Sequence, residues 1–190
     1  MADSNVEKKT NGKIIVIADD TPANLEFLEK VLSTEGHMVF AGRNGTEAIK
    51  LIQEKKPDLI ILDVKMPDIS GFEVCREVMM DKDLARIPVI FVTSEDEFRE
   101  EKSVVKGLDI GGLDYVLRPV GKDMLLARVR VGLRLRETQK KLDEKYKELE
   151  DKYKQIKEMN ELMVGRELKM IELEKEIDRL KKTLEEKRGK

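Results

Sequence analysis

Polar groups sit where apolar runs stop. Asp19 and Asp20 come just after Ile14–Ile17, Asp63 follows Leu59–Leu62, Thr93-Ser94 follow Pro88–Val92, and Arg118-Pro119 follow Tyr115–Leu117. Brought to one place, carboxylates, a hydroxyl and a cation could handle phosphate and hard metal ions. Three carboxylates meeting at one edge repel strongly unless something neutralises them. A hard dication with oxygen ligands is the natural partner, and Mg²⁺ suits one or two carboxylates, several waters and a phosphate oxygen. A carboxylate can also act as a nucleophile and take a phosphoryl group as an aspartyl-phosphate. The hydroxyl and the cation would then hold the phosphoryl oxygens after transfer.

Convergence requires a fold that places the ends of several strands side by side. In a doubly wound parallel sheet the site lies outside the carboxyl ends of the strands. The chain carries that pattern. Short β-branched runs predict strands at 14–19, 37–42, 59–63, 88–93 and 114–118, each followed by a helix. Helical periodicity is clear over Ala23–Ser33 (Leu25, Leu28, Val31, Leu32) and Thr46–Gln53 (Ala48, Ile49, Leu51, Ile52). Continuous apolar strands alternating with helices of about three turns imply an α/β fold, a five-stranded parallel sheet covered on both faces. Gly36 is placed to end the first helix, Pro57 the second, and Asn44-Gly45 marks the turn into the second.

The motifs carry a resemblance. The runs IIVIADD, ILDVKMPDISG, VIFVTS and GGLDYVLRPV, in this order and spacing, resemble the CheY-like receiver domain of two-component response regulators over residues 13–135. The resemblance implies a flavodoxin-like fold with Asp63 as phospho-acceptor. It implies Mg²⁺ held by Asp19, Asp20, Asp63 and the backbone carbonyl of Lys65. Thr93 takes the part of the switch hydroxyl and Tyr115 that of the switch aromatic. The phosphoryl donor would be a histidine kinase or phosphotransfer protein, and the rearrangement would reach the face built by the fourth helix, fifth strand and fifth helix. One position departs from the pattern: Arg118 stands where the family usually has Lys. Arg keeps the charge but is bulkier and planar, so the exchange is not conservative. Lys65 and Glu95 lie two residues beyond Asp63 and Thr93, and a Lys65–Glu95 pair is expected to cover the site in part and slow autodephosphorylation.

Composition divides the chain in two. It has 190 residues, 40% of them charged, with a net charge of −2, 4% aromatics and no Trp. Residues 1–135 hold 44 charged side chains with net −4, whereas the 55 residues of 136–190 hold 32 with net +2. Residues 1–12 are expected to be a disordered N-terminal tail, 13–135 the receiver, and 136–190 a coiled coil continuing the fifth receiver helix. The small net charge argues against a general polyanion binder, and no helix-turn-helix pattern, zinc spacing or aromatic platform suggests nucleic acid. No apolar run approaches the ~18–20 residues that span a bilayer. The start is polar, carries acidic Asp3 and has no apolar stretch after it, so it does not read as a secretory signal. The single Cys75 excludes an intrachain disulfide and is compatible with a reducing cytoplasm. No separate catalytic signature occurs, so the chain reads as a signalling module rather than an enzyme.

The tail has its own pattern. Residues 121–188 read as one helix, or two joined near Gly165. Leu142, Tyr146, Leu149, Tyr153, Ile156, Asn160 and Met163 keep heptad spacing, as do Met170, Leu173, Ile177, Leu180 and Leu184, with a three-residue stammer between the sets. Asn160 at a seam position could specify register. At about 100° per residue, Leu126, Val129 and Leu133 share one face of the fifth helix, while Met124, Val131, Leu135 and Leu142 lie nearly opposite. The second face runs into the heptad seam, which predicts a parallel homodimer. Basic Arg128, Arg130, Arg134 and Arg136 oppose acidic Glu95, Asp96, Glu97, Glu100 and Glu101, charges suited to contacts between two receivers. His37 reads as a surface turn residue, and Cys75, in helical phase with Phe72 and Met79, as core. Two other readings stay open: an input module of a longer cyclase, phosphodiesterase or kinase, and a coiled-coil adaptor for a downstream protein that is not phosphorylated.

Overall fold

The computed structural model describes residues 12–94 and 109–188. Five parallel strands, β1 (Ile14–Ala18), β2 (Met38–Gly42), β3 (Leu59–Asp63), β4 (Val89–Ser94) and β5 (Asp114–Arg118), form one sheet in the order β2-β1-β3-β4-β5. Helices α1 (Pro22–Thr34), α2 (Gly45–Lys55) and α3 (Gly71–Met80) alternate with them, and a C-terminal helix runs from Lys122 to Arg188.

Strand alternation sorts the core onto two faces. Val16 and Ala18 of β1, Ile60 and Leu62 of β3, and Phe91 of β4 pack with Ala48 and Ile52 of α2 and Phe72, Cys75 and Val78 of α3. Ile15, Ile17, Leu59, Ile61, Ile90 and Val92 point the other way, against Leu25, Leu28 and Leu32 of α1 and Leu125, Leu126 and Val129 of the C-terminal helix. Every residue of β3 is buried, as a central strand covered on both sides requires. Each fully buried Leu, Ile or Phe contributes about 1.5–3 kcal/mol relative to exposure, so this double layer is the main source of stability behind the strand ends.

Local chemistry sets the element ends. The Asn44 side chain caps α2 by accepting from the Glu47 N–H at 2.8 Å. Ser70 and Glu73 cap α3 reciprocally in a capping box. Gly36, at φ +84°, provides the left-handed turn after α1 that a side chain would resist. α2 ends at Lys55, and Lys56 takes a left-handed conformation just before Pro57. Strand limits shift by a residue from the sequence reading. β1 stops at Ala18 because the Asp19 carboxylate turns back to accept from the Thr21 N–H at 2.9 Å. His37 precedes β2, half-buried, with its pKa lowered mainly by burial. Pro88 has no N–H to give and precedes β4, although its carbonyl accepts from Ile60 at 3.0 Å.

Gly165 lies inside the C-terminal helix, so the tail is one helix and not two. Leu126 and Val129 are buried and Leu133 is partly buried, with Leu125 joining them one turn before Val129. Met124, Val131, Leu135 and Leu142 are exposed, as their opposite phase requires. The chain divides into a unit through Lys140 and a second from Lys141. Lys140 pairs with Asp58 at 2.5 Å, and Asp58 also accepts from the Ile14 N–H. Burial raises the pKa of Asp58, but these donors outweigh it and hold the carboxyl below its ordinary range. No helix among the described residues is long and apolar enough to cross a membrane.

Candidate functional site

The carboxyl edge of the sheet gathers the polar residues. Asp19 and Asp20 follow β1, Asp63 closes β3, Thr93 lies near the end of β4, and Arg118 closes β5. Asp19, Asp63 and Thr93 are buried, and Asp20 is exposed at the rim. One carboxylate oxygen from each of Asp19, Asp20 and Asp63 lies within 4.8 Å of the others. An all-oxygen, all-anionic donor set of that spacing fits a hard divalent cation such as Mg²⁺.

Arg118 enters this cluster from the far strand. Its Nη1 donates to Oδ2 of Asp19 at 2.8 Å and its Nη2 to Oδ1 of Asp63. One guanidinium at the end of β5 thus bridges the carboxylate that follows β1 and the one that ends β3, reaching past β4. The Arg118–Pro119 peptide is cis. Asp19 is saturated further: Oδ1 accepts from the Thr21 N–H and from the Asn24 amide at 2.9 Å, and Oδ2 accepts from the same amide at 3.1 Å. Asp20 accepts from the Thr21 hydroxyl at 3.2 Å. Thr21 and Asn24 were not singled out from the sequence. The signal was there, an amide in the first turn of α1 five residues beyond Asp19, but it is also an ordinary helix-start residue. A cavity of about 520 Å³ opens beside the cluster, lined by Asp19, Asn24, Phe27, Val92, Arg118 and Pro119 among others.

The loop after Asp63 is fastened at both ends. Lys65 lies exposed within it, and Asp68 reaches across to α2. Asp68 accepts from the Gly45 N–H at 2.8 Å, the Thr46 N–H at 2.9 Å and the Thr46 hydroxyl at 2.6 Å. Those bonds, the Thr46 hydroxyl foremost, hold its carboxyl well below the usual range. An acidic group at the first turn of a helix is also favoured by the helix dipole. Gly71 closes the loop, donating its N–H to the Val64 carbonyl at 3.0 Å. A Cβ at Gly71 would overlap the Asp63 carbonyl oxygen, so only glycine lets α3 start this close to the acidic strand end. Neither Asp68 nor Gly71 was read from the sequence as serving the site.

Tyr115 lies partly buried on β5, stacked on Phe91 with centroids 5.0 Å apart, and Phe91 meets Phe72 edge-on at 5.1 Å. This aromatic row links β5 to α3 through β4, beneath the level of Thr93. Glu95 and the acidic run through Glu101 lie outside the described residues, as do the first eleven residues of the expected N-terminal tail. Cys75 is buried, and desolvation pushes its thiol pKa up to about 11, which suits a core residue and not a reactive one.

A five-stranded parallel sheet with this acidic edge and a buried threonine beside it defines a receiver-type signalling module. The family model described as response regulator receiver domain matches residues 15–130. The receiver domain of a signal transduction histidine kinase from Syntrophus aciditrophicus is similar at 34% identity, covering 65% of this chain and 91% of that one, with a TM-score of 0.59. A response regulator receiver domain protein from Clostridium thermocellum shares the fold at 23% identity, over 68% of this chain and 98% of that one, with a TM-score of 0.58. So does the receiver domain of a sensor histidine kinase from Pseudomonas aeruginosa, solved with a magnesium ion in its active-site cleft. It is 23% identical, covers 64% of this chain and 98% of that one, and has a TM-score of 0.59. The chain belongs to the response regulator receiver domain family, the signalling modules of two-component systems.

Proposed function

We propose that this receiver accepts a phosphoryl group on Asp63 from a histidine kinase or phosphotransfer protein, with Mg²⁺ held by Asp19, Asp20, Asp63 and the Lys65 carbonyl. The observation that carries the reading is the three-carboxylate cluster at the carboxyl edge, its ligand oxygens within 4.8 Å of one another. When bound, Mg²⁺ would supply charge neutralisation for the incoming phosphoryl oxygens. The chain's own groups do the rest. A carboxylate oxygen of Asp63 forms the new P–O bond as the P–N bond of a phosphohistidine breaks, the electron pair leaving with the imidazole nitrogen. The Thr93 hydroxyl and the Arg118 guanidinium, both at this edge, would hold phosphoryl oxygens. Tyr115, three residues before Arg118 and stacked on Phe91, carries the change toward the outer face of β5. The basic Arg128, Arg130 and Arg134 lie on the C-terminal helix that follows β5, and Arg128 pairs with Asp114 at 2.5 Å. The module is placed in the cytoplasm on this reading, where a histidine kinase or phosphotransfer donor would meet it.

Acetyl phosphate with Mg²⁺, followed by intact mass, tests the acceptor. The full chain should gain one phosphoryl group, and Asp63→Asn should gain none. A modified Asp63→Asn variant, or an unmodified native chain, would refute the assignment.

The tail supports a second element of the reading, a homodimeric coiled coil over 136–190. Leu142, Leu149, Ile156, Leu173 and Ile177 are 47–63% exposed along one helix, a stripe with nothing of its own chain to cover it among the described residues. A second copy buries such a stripe knob into hole. Phosphorylation would then alter how two receivers meet at the head of the stalk, and the stammer before Met170 would absorb the change. Sedimentation of the full chain with and without a phosphoryl mimic tests this, and a monomer in both states would refute it.

A further inference from the structure

The bridging guanidinium has a consequence for metal binding. Arg118 does not pair with the phospho-acceptor alone. It takes one oxygen of Asp63 and one of Asp19 at the same time. Asp19 has no oxygen left uncommitted, because Oδ1 serves Thr21 and Asn24 and Oδ2 serves Asn24 and Arg118. The guanidinium is 22% exposed, and both carboxylates are almost fully buried. Charge-assisted bonds in that setting are the strong kind, and a planar fork can satisfy two acceptors with little loss of freedom. Mg²⁺ demands oxygens at near-ideal octahedral positions and tolerates little compromise. It therefore has to take from Arg118 what Arg118 already holds.

We propose that Arg118 is a resident competitor of the divalent cation, bridging Asp19 and Asp63 so that the site stays neutralised until metal and phosphoryl group displace it together. The inference rests on the metal reading above. A lysine ammonium at this position would present a compact charge on a flexible stem without the planar fork, and would hold the two carboxylates less firmly in one geometry. The departure from the family's lysine would then tune the receiver towards weak metal binding at rest, leaving the phosphoryl oxygens as the new acceptor for the freed guanidinium.

Calorimetric titration of the full chain with Mg²⁺ separates the possibilities. Arg118→Lys should bind Mg²⁺ about tenfold more tightly than the native chain, the equivalent of one charge-assisted bond at about 1.4 kcal/mol per decade. Arg118→Gln, which removes the competing charge as well, should bind more tightly still. The rise in melting temperature at one Mg²⁺ concentration should follow the same order, because stabilisation by a ligand grows with the logarithm of its concentration over Kd. Equal affinity in all three proteins, or weaker binding in both variants, overturns the proposal. Tighter binding in Arg118→Gln with Arg118→Lys unchanged also overturns it, since charge without the bridge would then suffice. Absence of Mg²⁺ binding in every protein, Arg118→Gln included, overturns the metal reading itself and this inference with it.

Discussion

Adding one methyl group at Gly71 tests whether the approach of α3 to β3 is what seats Asp63. Two effects of Gly71→Ala oppose each other. Alanine in a helix is favoured over glycine by up to about 1 kcal/mol. Against that, the new Cβ would overlap the carbonyl oxygen of Asp63 and lie 3.1 Å from its carbonyl carbon and 3.3 Å from Cβ of Leu62. These neighbours belong to a fully buried central strand paired on both sides, by Ala18 to Leu62 and by Asp63 to Val92, and cannot swing aside as a surface side chain would. Forced overpacking costs about 1–3 kcal/mol, so the net expectation is destabilisation by about 1–2 kcal/mol. With a urea slope of about 2 kcal/mol per molar, the midpoint should fall by roughly 0.5–1 M. The chain has no Trp and much of its helix lies in the tail, so the receiver is best followed by hydrogen exchange of the β1 and β3 amides across a urea series. Gly165→Ala is the internal comparison. Nothing lies within 4 Å of a Cβ there, so only propensity acts and helicity should rise. A midpoint for Gly71→Ala equal to or above the native one would refute the steric argument.

Asp68→Ala should destabilise by about 0.5–2 kcal/mol through the lost cap on α2, measured by chemical unfolding. The folded pKa of Asp68 is depressed, so its contribution is complete above the unfolded value near 3.8 and disappears as pH falls through the folded one. The native-minus-variant difference should accordingly be flat above about pH 5 and shrink in acid. Phe91→Ala removes a fully buried ring that touches both Phe72 and Tyr115 and should cost about 3–5 kcal/mol. Ile156→Asp or Leu149→Asp should turn a sedimenting dimer into a monomer; unchanged sedimentation would argue for a different occupant of the stripe. Cys75 should resist a thiol reagent at neutral pH in the native chain and react once urea unfolds it, because the buried thiol has both a raised pKa and no access.

Much of the architecture was legible because its causes are local. The alternation of Ile15 and Ile17 with Val16 and Ala18 already demanded a strand with two buried faces, and Asn44 and Gly36 announced a helix start and a helix end. The helical phase of Leu126, Val129 and Leu133 against Met124, Val131 and Leu135 foretold which face of the last helix meets the sheet. Residue spacing along one segment decides these things, whatever the rest of the chain does. Strand limits were less legible at Ala18 and Pro88, where a side-chain turn and a missing N–H decide the end of the ladder.

The sequence by itself determined the fold class, the edge at which chemistry would gather and the residues present there. The partnerships among those residues were decided only by tertiary structure. Asp19 and Arg118 stand 99 positions apart, on strands separated by β3 and β4. That one guanidinium spans both Asp19 and Asp63 follows from strand order, register and the length of one side chain, none of which leaves a periodic mark. Asn24 and Asp68 escaped notice for the same reason, since a polar residue at a helix start or in a loop has many ordinary uses and only its neighbours in space select one. Gly71 is the clearest case: a glycine after a turn residue means little until the Asp63 carbonyl is found where its side chain would have been.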